Sequence, residues 1–164
     1  MKNILAAIDF TDVSNEIVEK GAELAKALGA KLWVVHVAPP VSSQLDMNIV
    51  SYDLPGLNSV GNSFYSELLN IDEARKTVAS RLKDEHNYML NLAKRYTEQG
   101  LEVAALLLEG SEVDRILEKA DQKNAELILM GSHGHGLLHK AIIGSISEGV
   151  IKRTKIPVML IPQK

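Results

Sequence analysis

The chain has 164 residues, enough for one domain around a single core. Its composition is 46% apolar and 24% charged with a net charge of -3, so bulk attraction to nucleic acid is not expected and any anion must be held by local dipoles. The absence of cysteine removes disulfides, thiolate catalysis and cysteine-ligated zinc or iron–sulfur centres.

The N-terminus does not look like a signal peptide, and no apolar window approaches the roughly 18 residues of a membrane span, so a cytoplasmic protein is expected. "NILAAIDF" (Asn3–Phe10) is a continuous apolar run closed by Asp9, the pattern of a strand buried on both faces. From Thr11 to Leu28, Val13, Ile17, Val18, Leu24, Ala25 and Leu28 recur at steps of three and four and predict a helix, with Thr11 or Ser14 to cap it and Gly29 to end it. "KLWVVHV" (Lys31–Val37) predicts a second buried strand, with Trp33 in the core and His36 as a satisfied strand histidine rather than a ligand.

Residues Ala38 to Asp72 show no sustained period and hold three prolines and two glycines. They are expected to form a surface excursion, or else a lid or dimer arm. Glu73–Tyr96 then predicts a long amphipathic helix, followed by Gly100. "LEVAALLLEG" reads as a third strand, "SEVDRILEKAD" as a helix opened by Ser111 and Asp114 at capping-box spacing, and "AELILM" (Ala125–Met130) as a fourth strand. A helix is expected from Ser145 to Thr154, and "IPVMLIP" (Ile156–Pro162) as a last strand whose Pro157 suits an edge or a strand start. Strand and helix alternate throughout, which predicts a single α/β domain over 1–164: an open, doubly wound parallel sheet of five strands with helices on both faces, Rossmann-like, carrying a long loop at about 38–72.

In such sheets ligands bind beyond the carboxyl ends of the strands, where the connections change sides. Here the first strand ends on Asp9 and the fourth on "GSHGHGLLHKAIIGS" (Gly131–Ser145), which has four glycines, three histidines, a lysine and no acid. Gly131, Gly134, Gly136 and Gly144 permit inward-facing amides, an anion nest. Ser145 lies three residues before Glu148, the capping-box spacing that starts a helix whose free N–H groups favour a phosphate. The hydroxyls of Ser145 and Ser147 would add donors, and Lys140, His133, His135 and His139 partial or full positive charge. The P-loop pattern is absent, and "GHGLLH" lacks the third glycine of the dinucleotide fingerprint and follows the wrong strand.

The spacing Gly131-x2-Gly134-x9-Gly144-Ser145 resembles the ATP-binding signature of the universal stress protein family, as do Asp9 before "FTDVS", "VVHV", "LILMGSHG" and "IPVMLIP" in register along nearly the whole chain. The resemblance implies strand order 3-2-1-4-5 and membership of the branch that binds ATP, or ADP or AMP, in stress-response regulation. It implies that Asp9 is the acid near the ribose or a bound magnesium ion, that Ala7 lines the base pocket, and that the backbone of Val37 reads the adenine edge. Gly131, Gly134, Gly144, Ser145, Ile146 and Ser147 match phosphate-contacting positions. Ser132, His133 and His135, inside the same loop, complete the candidate set. The resemblance further implies a homodimer paired through Val158, Met159, Leu160 and Ile161, and an unidentified regulatory protein partner, with neither nucleic acid nor membrane insertion.

Plainer readings stand beside these. Asp9 can serve only the start of the following helix. The glycine loop can be a plain connection, although it is longer than the usual 2–6 residues or so. The H-x-H-x3-H histidines can be zinc ligands, phosphate donors or solvated side chains. For function, a nucleotide-binding regulatory module is weighed against a slow ATPase or phosphotransferase. The loop offers no base and no arginine for phosphoryl transfer, Glu148 being assigned to capping, so no catalytic residue is named.

Overall fold

The computed structural model describes residues 1–40, 63–132 and 143–162. Nine elements follow one another: β1 (Asn3–Ile8), α1 (Val13–Leu28), β2 (Lys31–Ala38), α2 (Ser63–Thr97), β3 (Val103–Glu109), α3 (Glu112–Gln122), β4 (Leu127–Gly131), α4 (Ser145–Arg153) and β5 (Val158–Ile161). The strands form one parallel sheet in the order β3-β2-β1-β4-β5. The chain winds outward from β1 through β2 to β3, then crosses back to β4 and on to β5. The direction reverses between β1 and β4, which opens a crevice at their carboxyl ends.

Burial explains why these segments became strands. Ile4 to Ile8 in β1 are all buried, because both faces of this central strand are covered. On one face Ile4, Ala6, Leu32, Val34 and Leu129 pack with Ile17, Val18, Met89 and Leu92 of α1 and α2. On the other, Leu5, Val35, Ile128 and Met130 pack with Ile116, Ala120 and Val150 of α3 and α4. The outer strands are only partly covered, and in β5 only Ile161 is fully buried. Pro157 sits just before β5, where its carbonyl accepts from Ile128 N at 3.0 Å and its missing N–H costs no ladder bond. Gly29 ends α1 at φ 60, and its N–H reaches Ala25 O, the left-handed cap that glycine adopts without strain.

Three expectations need correction. The helix expected from Glu73 begins at Ser63, so 63–72 are helical and the excursion expected from Ala38 to Asp72 is shorter. Phe64, Leu68 and Ile71 carry helical spacing in the sequence, but the Pro55–Gly56 and Gly61 punctuation just upstream masks it. Residues 41–62, and with them most of the expected lid or arm, lie outside the described residues.

Trp33 is half-buried and not a core residue. Its Nε1 donates to Asn3 Oδ1 at 3.0 Å, while Lys31 and Lys123 hold Nζ 4.5 and 4.3 Å from the ring centre, so cations cover the face that apolar side chains were expected to cover.

The caps also differ. α1 starts behind Asp12 with no side-chain cap, and Ser111 caps α3 by position alone. Asp114 pairs with Arg153 on α4, at 2.6 Å, while also hydrogen-bonding with Ser111.

Candidate functional site

At the carboxyl edge of β2, β1 and β4 lies a cleft of about 590 Å³, within the range of small-molecule sites. Its β4 side is made of backbone. Gly144, extended at ψ 149, stands at the N-cap of α4, and Ser145 is the first helical residue. The first intrahelical bond runs from Glu148 N to Gly144 O at 2.8 Å, so the amides of Ser145, Ile146 and Ser147 have no acceptor within the helix. Together with the helix dipole they make this edge electropositive.

Two hydrogen bonds fix the position of that turn. Gly144 N donates to Ser132 O at 2.8 Å, and the buried Ser147 hydroxyl donates to Gly131 O at 2.7 Å. The Ser147 hydroxyl therefore builds the site, in contrast to its expected use as a ligand donor. The expected Ser145–Glu148 box is absent as well. Gly144 takes the cap position, and Lys152, one turn on, takes Glu148 in an ion pair at 2.5 Å that holds its carboxyl below the ordinary carboxylate range.

The middle of the cleft is the β1–α1 turn. Asp9 Oδ1 accepts from Thr11 N at 3.1 Å, Thr11 Oγ1 at 2.5 Å and the buried Ser14 hydroxyl at 3.3 Å. One oxygen of this carboxylate thus organises the start of α1, as the plainer reading of Asp9 anticipated. Phe10 follows at φ 60, rare for a side chain of that size, and lays its ring 4.2 Å from that of His36.

Of the sequence-nominated residues, Ala7, Asp9 and Val37 line the cleft from β1 and β2. Gly131, Gly144, Ser145, Ile146 and Ser147 line it from β4 and α4. Ser132 is placed at the base of the turn by its N–H bond to Ile161 O at 2.9 Å. His133, Gly134 and His135, with Gly136, His139 and Lys140, lie outside the described residues. The lining also includes the apolar side chains of Ala7, Val35, Val37, Ile116, Met130 and Ile146, a surface of the kind a planar ring packs against.

Sequence reasoning missed the β2 side. His36 and Pro39 line the cleft there, joined by Arg81 and Glu85 from α2 and Glu112 from α3. His36 Nδ1 lies 2.9 Å from Ile8 O and Nε2 lies 3.8 Å from Glu85 Oε2, while Glu85 Oε1 lies 3.3 Å from Arg81 Nε. An arginine and carboxylates therefore do border the cleft, although the loop itself supplies neither. The only signal was Arg81–Glu85 at i,i+4, which is also the commonest pattern of a solvated helix pair. Among the described residues no group of three or more His, Asp or Glu could hold a metal ion.

The match to known proteins agrees with this architecture. The family model of the universal stress protein family matches residues 1–162. The chain belongs to that family. A universal stress protein of Methanocaldococcus jannaschii is 29% identical over 167 aligned positions, covering 99% of this chain and 96% of its own. The solved structure of that archaeal protein superposes with a TM-score of 0.67 at 23% identity, covering 99% of this chain and 96% of that one, and carries the same Rossmann-like α/β fold. A universal stress protein from Archaeoglobus fulgidus solved in complex with dAMP superposes at 0.56 with 19% identity, over 98% of this chain and 97% of that one. Another universal stress protein, solved with cAMP, gives 0.59 at 19% identity over 98% and 96%.

Proposed function

We propose that this universal stress protein binds an adenine nucleotide, ATP first and ADP or AMP as alternatives, as a regulatory module of the stress response. The observation that carries the reading is that three first-turn residues of α4, whose amides have no acceptor within the helix, line the same cleft of about 590 Å³ as a set of apolar side chains. Phosphates would sit on Ser145, Ile146 and Ser147, the base against Ala7 and Val37, and the ribose over Asp9. Gly131, Ser132 and Gly144 shape the turn, and His133, Gly134 and His135, outside the described residues, are proposed as phosphate contacts on their sequence positions. Relatives solved with dAMP and cAMP support the ligand class.

The described residues do not build a resident metal site, and Asp9 already gives one oxygen to three protein donors. Magnesium would therefore enter with the phosphates that carry it, Asp9 being the nearby carboxylate of the β1 turn.

The test is thermal unfolding with and without ATP. At about 100 times its Kd, ATP should add about 2.7 kcal/mol and raise Tm by roughly 5–10 °C. No shift at millimolar ATP would sink the reading.

A slow ATPase or phosphotransferase is the second reading, favoured by Arg81, Glu85 and Glu112 at the cleft. Steady multiple turnover lost in Arg81→Gln would select it.

We also propose a homodimer through β5, an exposed edge whose Met159 is 39% accessible between the half-buried Val158 and Leu160, with Ile161 closing the strand. A further protein partner would read the nucleotide state. No helix among the described residues is long and apolar enough to cross a membrane, and a cytoplasmic location is proposed.

A further inference from the structure

His36 sits near the end of β2 with its ring under Phe10, and its side chain is 11% exposed. Its Nδ1 lies 2.9 Å from the carbonyl oxygen of Ile8. A carbonyl only accepts, so Nδ1 carries a hydrogen, and in a neutral ring Nε2 is then a bare acceptor. That nitrogen faces Glu85 Oε2 at 3.8 Å, and Oε2 is buried with no hydrogen-bond donor among the described residues. The buried Oε2 is left without a donor while a bare Nε2 faces it, which raises the free energy of the neutral arrangement. A proton on Nε2 reverses the sign, making an imidazolium face a carboxylate. The other oxygen of the same carboxylate meets Arg81 Nε, so Glu85 links a β2 cation to an α2 cation.

We propose that His36 and Glu85 form a proton-dependent strut between β2 and α2 that positions Arg81 in the wall of the cleft, so that a proton taken up at His36 strengthens the binding of an anionic nucleotide. The strut stands on geometry alone, and the identity of its ligand rests on the nucleotide reading. The charged groups around the ring come from every neighbouring element. α2 contributes Glu85 and Arg81, with Asp84 in the adjoining notch. β1 contributes the Ile8 carbonyl and, at its end, Asp9, and α3 contributes Glu112 at the same cleft. The β3 residue in register with His36 is the uncharged Leu107, with Glu109 two positions on. Of these groups Glu85 is the carboxylate that faces Nε2.

Nitrogen NMR of the imidazole rings in the ligand-free chain reads the strut directly, with Glu85→Gln for comparison. At about pH 6, both ring nitrogens of His36 should carry protons in the wild-type chain, and Glu85→Gln should lose the Nε2 proton. ATP calorimetry on the same proteins reads the coupling. Between about pH 6 and about pH 8, wild-type affinity divided by that of Glu85→Gln should fall on the order of fivefold, and titration of ATP itself cancels in the ratio. Arg81→Lys should keep part of the effect and Arg81→Gln should not. An unprotonated Nε2 at about pH 6, or a ratio that ignores pH, overturns the proposal. No heat from ATP at either pH overturns the coupling along with the nucleotide reading, and the ring-proton result separates that failure from a failure of the strut.

Discussion

The two ends of the cleft present charge by different means. At the β4 end the donors are main-chain amides of Ser145, Ile146 and Ser147, placed by Gly144 and by the Ser147–Gly131 bond. At the β2 end the groups are side chains, His36, Glu85 and Arg81, of which two arrive on a separate helix. A backbone site cannot be discharged by pH and hardly changes with sequence except through glycine and local sterics. A side-chain site can be titrated, and a single substitution can remove it.

Substitution can separate the two ends, and the largest effect should come from the amide end. Ser145 is exposed at the first position of α4, where an acid favours the helix dipole. Ser145→Asp should hold or raise stability by about 0.3–1 kcal/mol, yet weaken ATP by about a hundredfold through like-charge repulsion. Calorimetry beside thermal unfolding checks both signs. Arg81→Gln comes next. Its effect on ATP affinity should be about three- to tenfold and should shrink as salt is raised, because the side chain is 47% exposed. An equal loss at all salt concentrations would argue against a charge effect.

The same contrast decides what the sequence could reveal. The order of elements was legible because strands covered on both faces leave continuous apolar runs such as Ile4–Ile8 and Leu127–Met130, whereas the adjacency of β1 and β4 came only from the family resemblance. Gly144 was legible as the turn before a helix N-terminus. Trp33 was misplaced because hydrophobicity does not show that two lysines lie over a ring. The start of α2 was hidden by the prolines and glycines before it. Arg81 and Glu85 were hidden because their spacing marks many exposed helices, and only the docking of α2 beside β2 brings them to a cleft. Glu148 was given to a cap because the sequence alone cannot rank Lys152 against Ser145 as its partner.

Smaller effects sharpen the structural side. Ser147→Ala removes a buried hydroxyl and leaves Gly131 O without that donor. It should cost about 1 kcal/mol and lower Tm by roughly 2–4 °C, with a smaller change in ATP affinity because the amide remains. A large loss of affinity at unchanged Tm would instead make the hydroxyl a direct ligand.

The smallest change concerns acid. Arg153, with Ser111, holds the Asp114 carboxyl below its ordinary value, so this group favours the folded state above its unfolded pKa and loses that contribution as pH falls through the lower folded value. Asp114→Asn should therefore flatten Tm against pH slightly below about pH 4 and leave it unchanged near neutrality. A steeper acid loss in the variant would contradict the pairing with Arg153.

The central claim is that the first-turn amides of α4 hold the phosphates. Amide NMR during an ATP titration tests it residue by residue. Saturable shifts at Ser145, Ile146 and Ser147, abolished in Ser145→Asp, are the expected result. ATP that binds while those three resonances stay in place would contradict the account.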